Sequence, residues 1–114
     1  MLPLKNRLKR KKDFENVFAG GKTAKTRYFF LKAIKTGGLD SRIGFIASKK
    51  VSKKAVERNR IKRLFREAVR FDIARIKPGY DLVFIILNSA KEKGLTEIKK
   101  EIEFILGENG LLIN

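Results

Sequence analysis

Two rhythms of apolar residues run along the chain. Ile61, Leu64, Phe65, Ala68 and Val69 recur every three or four positions and, at 100° per residue, gather on one side of a helix. That pattern predicts a long helix from about Ala55 to Phe71. Leu82 to Leu87 (LVFIIL) is instead apolar without a break and is bounded by turn residues, as expected of a central strand covered on both faces. Phe14, Val17 and Phe18, spaced i, i+3, i+4, predict a short first helix, with Asp13 as its cap and Gly20-Gly21 as its end. Arg27 to Lys35 and Arg42 to Ser48 read as strands on either side of a Gly37-Gly38 loop and are expected to pair as a hairpin. Lys77-Pro78-Gly79 marks a turn. Thr96 is the expected cap of a last helix that carries Leu95, Ile98, Ile102 and Ile105 on one stripe and closes at Gly107, and the apolar tail LLIN is expected to dock. The predicted order is α-β-β-α-β-α in a single domain spanning 1–114. It implies an α+β fold, an α/β sandwich of one central sheet packed against helices. The second strand, the long helix and LVFIIL form a candidate βαβ unit, for which the general rule gives a right-handed crossover.

Length and composition narrow the classes. A chain of 114 residues buries roughly two-thirds of its unfolded surface, enough for a core without covalent staples. Cysteine and histidine are both absent. Disulfides and thiolate metal sites are thereby excluded, and the usual general base and commonest metal ligand are missing. The chain has no apolar run of membrane-spanning length, and MLPLKNRLKRKKDF lacks the apolar stretch of a signal peptide. The expectation is a soluble cytoplasmic protein with no membrane partner.

Charge changes the picture most. The net charge is +16. Residues 1–70 hold 22 basic and 5 acidic side chains, a net +17, whereas residues 71–114 hold 6 and 7. Solubility does not require that asymmetry. A field concentrated in one part of a fold destabilises it by self-repulsion unless an anion is present, and nucleic acid is the anion that such a footprint fits. An anionic membrane surface is the weaker alternative. Residues 1–12 contain six Lys or Arg and are expected to form a flexible basic arm. On the long helix, Arg58, Arg60, Lys62, Arg63, Arg66 and Arg70 face only Glu57 and Glu67 as local partners. Five of the six are Arg, whose planar fork suits phosphate oxygens.

The first predicted strand puts Phe29, Leu31 and Ala33 on one face and Tyr28, Phe30, Lys32 and Ile34 on the other. The second face, with Phe14 and Phe18 one turn apart on the first helix, reads either as further core or as a surface where rings stack on unpaired bases and Lys meets phosphate. Gly21-Lys22-Thr23 looks like the end of a phosphate-binding loop. However, the first glycine of that pattern is replaced by Asn16, and a strand rather than a helix is expected to follow. No nucleophile–base pair, metal-ligand cluster or dinucleotide fingerprint is present.

NRLKRKKDFENVF, RYFFLKAI and RIGFIASKKVSKKAVERNRIKRLFREAVR together resemble the protein component of bacterial ribonuclease P, over almost the whole chain. The specific element is Arg-Asn-Arg followed by Ile-Lys-Arg and a further Arg, placed after Ser-Lys-Lys. The resemblance implies a subunit that binds a large catalytic RNA and holds the single-stranded 5′ leader of precursor tRNA in a cleft between the first helix and the sheet. The chemistry then belongs to the RNA with Mg²⁺, and the protein alone is inactive. By motif, Arg58, Asn59, Arg60, Lys62, Arg63 and Arg66, with Lys49 and Lys50, are expected to face RNA, and Phe14, Phe18 and Phe30 to line the cleft. Lys32 stands where relatives can carry an aromatic residue, so a phosphate contact is expected there. The family's βαβ crossover is left-handed, against the general rule, and that form is expected here. The alternatives are a generic RNA-binding or ribosome-associated module without a role in tRNA processing, and an enzyme acting through its own carboxylates.

Overall fold

In the computed structural model, which describes residues 2–113, the main elements are α1 (Lys11–Gly20), β1 (Lys22–Lys25), β2 (Phe29–Lys35), β3 (Arg42–Ile46), α2 (Ala55–Arg70), β4 (Tyr80–Ile86) and α3 (Leu95–Glu108). Short 3-10 turns lie at Leu4–Asn6, Ile73–Arg75 and Asn88–Ala90. The strands form one mixed sheet in the order β1-β2-β4-β3, antiparallel except for the parallel pair β3 and β4.

The central place of β4 follows from its sequence. Leu82, Phe84 and Ile86 point to the face covered by α2 and α3, and Val83 and Ile85 to the face covered by α1. On the first face, Phe29 meets Phe84 and Phe65 edge-on, with ring centroids 5.3 and 5.6 Å apart. Ile61, Phe65, Ala68 and Val69 of α2, with Ile98, Ile102 and Leu106 of α3, close over them. Truncating a fully buried ring such as Phe84 to Ala is expected to cost about 3–5 kcal/mol. α1 seals the opposite face with Val17, which is fully buried beside Val83 and Leu8.

Four expectations are corrected. β2 and β3 do not form a hairpin, because β4 lies between them, with Leu31 opposite Phe84 and Ile43 opposite Leu82. A β2–β3 pair would have left β4 as an edge strand, although it is apolar on both faces. The hairpin partner of β2 is β1, absent from the predicted order: Lys-Thr-Ala-Lys shows no apolar alternation because it is an exposed edge, guarded by lysines. Tyr28 does not share a face with Phe30. It precedes β2, is buried in the main core, and donates to Glu97 on α3 at 2.5 Å. That bond, with burial behind it, raises the Tyr28 pKa. Finally, residues 2–12 are not a free arm. Leu2 and Leu8 are buried, Asn6 Nδ2 donates to the Ser41 carbonyl at 2.7 Å, and Leu8 N–H donates to the Ile43 carbonyl at 2.9 Å. Two leucines anchor the arm along the outer edge of β3, and Lys11 and Lys12 already belong to α1; Met1 lies outside the described residues.

Smaller differences concern helix ends. Arg10 and Gly94, rather than Asp13 and Thr96, precede α1 and α3. Asp13 sits in the first turn of α1 and its carboxylate is taken by Arg42. α3 runs one residue past Gly107, and the chain turns at Gly110 in the left-handed region (φ 66°). The tail docks as far as it is described: Leu111 is buried and Ile113 N–H donates to the Arg75 carbonyl at 2.6 Å.

Candidate nucleic-acid interface

α2 owes its position to one stripe and its chemistry to the rest of its surface. Once Ile61, Phe65, Ala68 and Val69 are buried, every cation on the helix is directed to the flanks or outward. Those cations find few acids. Arg70 pairs with Glu67 at 2.5 Å. Glu57 turns to Lys91, at 3.0 Å, and bonds from Lys91 and Ser52 hold its carboxyl below the ordinary glutamate pKa. Arg58 donates to the Ser52 carbonyl at 2.9 Å and Arg60 reaches the Lys91 carbonyl at 3.4 Å. Both contacts fix a side chain without neutralising it. Among the described residues, Lys62, Arg63 and Arg66 have no ion-pair partner. Asn59, Arg60 and Arg63 are exposed, and Arg58, Lys62 and Arg66 are half-buried. Arg66 joins Arg7, Lys9 and Phe14 around a cavity of about 360 Å³ at the outer edge of β3.

Because β3 and β4 are parallel, their carboxyl ends share one end of the sheet, and α2 begins there after the turn that carries Lys49 and Lys50. Both lysines are exposed. The same end bears an open row on the α1 face. Pairing puts Lys25 beside Phe30, Phe30 beside Ile85, and Ile85 beside Ile46. Phe30, Ile85 and Ile46 are only half-buried. α1 lies over the next row, Thr23, Lys32, Val83 and Gly44, and leaves this one uncovered.

The four cleft residues read from the sequence are thus brought to one face, with a division between them. Phe18 is 39% exposed, and Lys32 Nζ lies 5.9 Å from its ring centroid. Lys25 Nζ lies 5.5 Å from the ring of Phe30. Phe14 is set against Gly44 and lines the Arg66 cavity instead. Ile46, Ile85 and Lys25 were missed as site residues. The two isoleucines look like ordinary strand core, and Lys25 sits in the strand that the apolar pattern did not reveal. Half-exposed apolar side chains edged by lysines can take bases on their faces and phosphates at the rim. Among the described residues no three His, Cys, Asp or Glu side chains gather as a metal site. The carboxylates of this face, Asp13 and Asp81, are both engaged by Arg42, so these residues do not offer Mg²⁺ a ready site.

The Ribonuclease P family model matches residues 2–109. The chain is 39% identical over 107 residues to the ribonuclease P protein component of Clostridioides difficile (strain 630), covering 93% of each chain. It is 36% identical over 113 residues to that of Pseudanabaena sp. (strain PCC 6903), covering 98% of this chain and 97% of the relative. Its fold is similar to the Staphylococcus aureus RNase P protein, with a TM-score of 0.82 at 27% identity over 93% of this chain and 96% of that one. For the Thermotoga maritima RNase P protein the TM-score is 0.80 at 28% identity, over 90% and 96%. The matched model spans nearly all of the described fold, basic helix and cleft included, and this chain belongs to the bacterial ribonuclease P protein component family.

Proposed function

We propose that this chain is the protein subunit of ribonuclease P, binding the catalytic RNA through α2 and the Lys49–Lys50 turn and seating the 5′ leader of precursor tRNA on the open row beside α1. The observation that carries this reading is one juxtaposition: Lys62, Arg63 and Arg66, without an ion-pair partner among the described residues, on α2, whose first turn starts from the sheet end bearing half-exposed Phe30, Ile85 and Ile46. A folded RNA offers phosphates at the spacing of a helix face, and a single-stranded leader offers bases that have no partner of their own.

On this reading the protein binds and orients, and cleavage is the work of the RNA subunit with its Mg²⁺. Phe18 and Phe30 supply ring faces, Lys25 and Lys32 supply charge at the rim, and Arg58 and Arg60, braced on backbone carbonyls, hold forks ready for phosphate. A cytoplasmic setting suits a chain without cysteine. The β3–α2–β4 crossover is inferred to be left-handed from the family likeness.

Reconstitution tests the proposal. Protein and RNA subunit together are expected to remove the leader in Mg²⁺, the protein alone is expected to cleave nothing, and the holoenzyme is expected to bind precursor tRNA more tightly than mature tRNA. Cleavage by the protein alone would overturn the division of labour. Equal affinity for the two tRNAs would instead favour a general RNA-binding module.

A further inference from the structure

One flank of α1 faces the open row, and the other is fastened to the sheet. Arg42, at the start of β3, donates from Nε and Nη2 to the two carboxylate oxygens of Asp81 on β4, at 2.9 and 2.7 Å. Its Nη1 donates to Asp13 Oδ2 in the first turn of α1, at 3.2 Å. Asp81 is 3% exposed. The guanidinium is therefore pinned to β4 by a bidentate pair, with its remaining nitrogen aimed at the helix. Two residues further along the same face of β3 stands Gly44. A Cβ there would lie 2.4 Å from Phe14 Cζ, so the Phe14 ring occupies the space that any side chain would need. At the far end of α1, Gly20 approaches Ile34 less tightly, and an added Cβ would lie 3.0 Å from Ile34 Cδ1.

Among the described residues the opposite flank has no such tie. Its polar contact with the sheet is Lys32 against the exposed ring of Phe18. Beyond it lies the half-buried apolar row, and a helix that slid over Phe30, Ile85 and Ile46 would bury more apolar surface, a shift the hydrophobic effect favours. What opposes that shift is the charged fork on the other side.

We propose that Arg42 is the positioning residue of the leader cleft: by tying the first turn of α1 to β4, and with Gly44 seating Phe14, it holds the helix back from the open row so that single-stranded RNA can enter. This rests on the reading of that row as the leader site. Arg42 itself touches no leader nucleotide. Its effect is to keep the width of the cleft fixed, so binding does not first have to pull the helix away from the row.

The test uses the full chain reconstituted with the RNA subunit. The ratio of affinities for leader-bearing and mature tRNA is measured for the native protein, Arg42→Met, Arg42→Lys and Asp13→Ala. Arg42→Met strands a buried carboxylate and is expected to destabilise the fold. Asp13→Ala is therefore the decisive variant, since it removes the acceptor that ties α1 to Arg42 while leaving the Arg42–Asp81 pair in place. It is expected to lower the ratio about tenfold, as when only about a tenth of the molecules hold the cleft open, with affinity for mature tRNA and for the RNA subunit within about twofold of native. Arg42→Lys, which cannot span both carboxylates, is expected to fall between native and Asp13→Ala. A folded Asp13→Ala protein with a native ratio would overturn the proposal, as would an equal loss for both tRNAs, which a merely structural role would produce. A native protein with no leader preference would overturn the proposed function instead.

Discussion

α2 and α3 lie side by side on the same face of the sheet, yet they treat charge in opposite ways. On α3 acids outnumber bases: Lys99 pairs with Glu103 at 2.7 Å within the helix, and Glu97 takes Lys93, from the turn before the helix, at 3.8 Å. Six cations on α2 share Glu57 and Glu67, and Glu57 is drawn away to Lys91. Both helices bury comparable apolar stripes, so packing does not require the difference. A helix folded for its own sake spaces acid and base one turn apart. A helix that leaves guanidinium groups unmatched lowers the stability of the isolated protein, and the loss is recovered when a polyanion arrives.

Salt should separate the two helices most strongly. With about 6–10 phosphates contacted, affinity for the RNA subunit is expected to fall about 10³–10⁵-fold between about 50 and 200 mM salt. A flat response in a filter-binding or anisotropy titration would contradict a phosphate-reading α2. Next in size is the response of the free protein to anions. Sulfate at about a hundred times its dissociation constant should stabilise the fold by about 2.7 kcal/mol. The melting temperature should then exceed that of a chloride control at equal ionic strength, and coincident melting curves would show that the α2 cations do not strain the native state. Smaller again is the control on α3. Lys99→Ala should lower the melting temperature only slightly, its ion pair being solvent-screened, and leave affinity for the RNA subunit unchanged; a drop in that affinity would break the contrast between the helices.

The smallest effect lies where the two helices meet. Asp72, just after α2, is buried, with one carboxylate oxygen on Arg75 at 3.0 Å and the other without a partner. Burial, and then the nearby Glu103 on α3, raise its pKa. The native state therefore holds this proton more tightly than the unfolded chain does. Stability from this site is fully present below the unfolded pKa and is lost as pH rises through the folded one. Asp72→Asn should remove that loss, so its melting temperature relative to the native protein should rise from about pH 4 to about pH 7. A difference independent of pH would contradict this placement of the proton.

Periodicity made the helices and the central strand legible. LVFIIL, apolar at every position, fits a strand covered on both faces, and the 3.6-residue stripe of α2 is strong enough to set its limits to within a residue and its buried face. What stayed hidden were features that no local pattern encodes. β1 is held by pairing to β2 rather than by any apolar preference of its own. The exchange that placed β4 between β2 and β3 is a long-range choice between two acceptable pairings. The N-terminal arm looked like a basic tail because six cations outweigh Leu2 and Leu8 in composition, whereas in packing the two leucines decide its course. Within the site, the α2 cations could be named from sequence because a helix fixes which side chains share a surface. Ile46 and Ile85 could not, since a half-covered strand residue differs from core only in what fails to lie over it.

The most direct measurement is the salt dependence of affinity for the RNA subunit, compared between the native protein and a variant with Lys62, Arg63 and Arg66 all changed to Ala. If these three cations each neutralise a phosphate, the slope of log affinity against log salt should become shallower by about three, with helix content by circular dichroism unchanged. A folded variant that keeps the native slope would mean that the unmatched charges of α2 are not there for RNA.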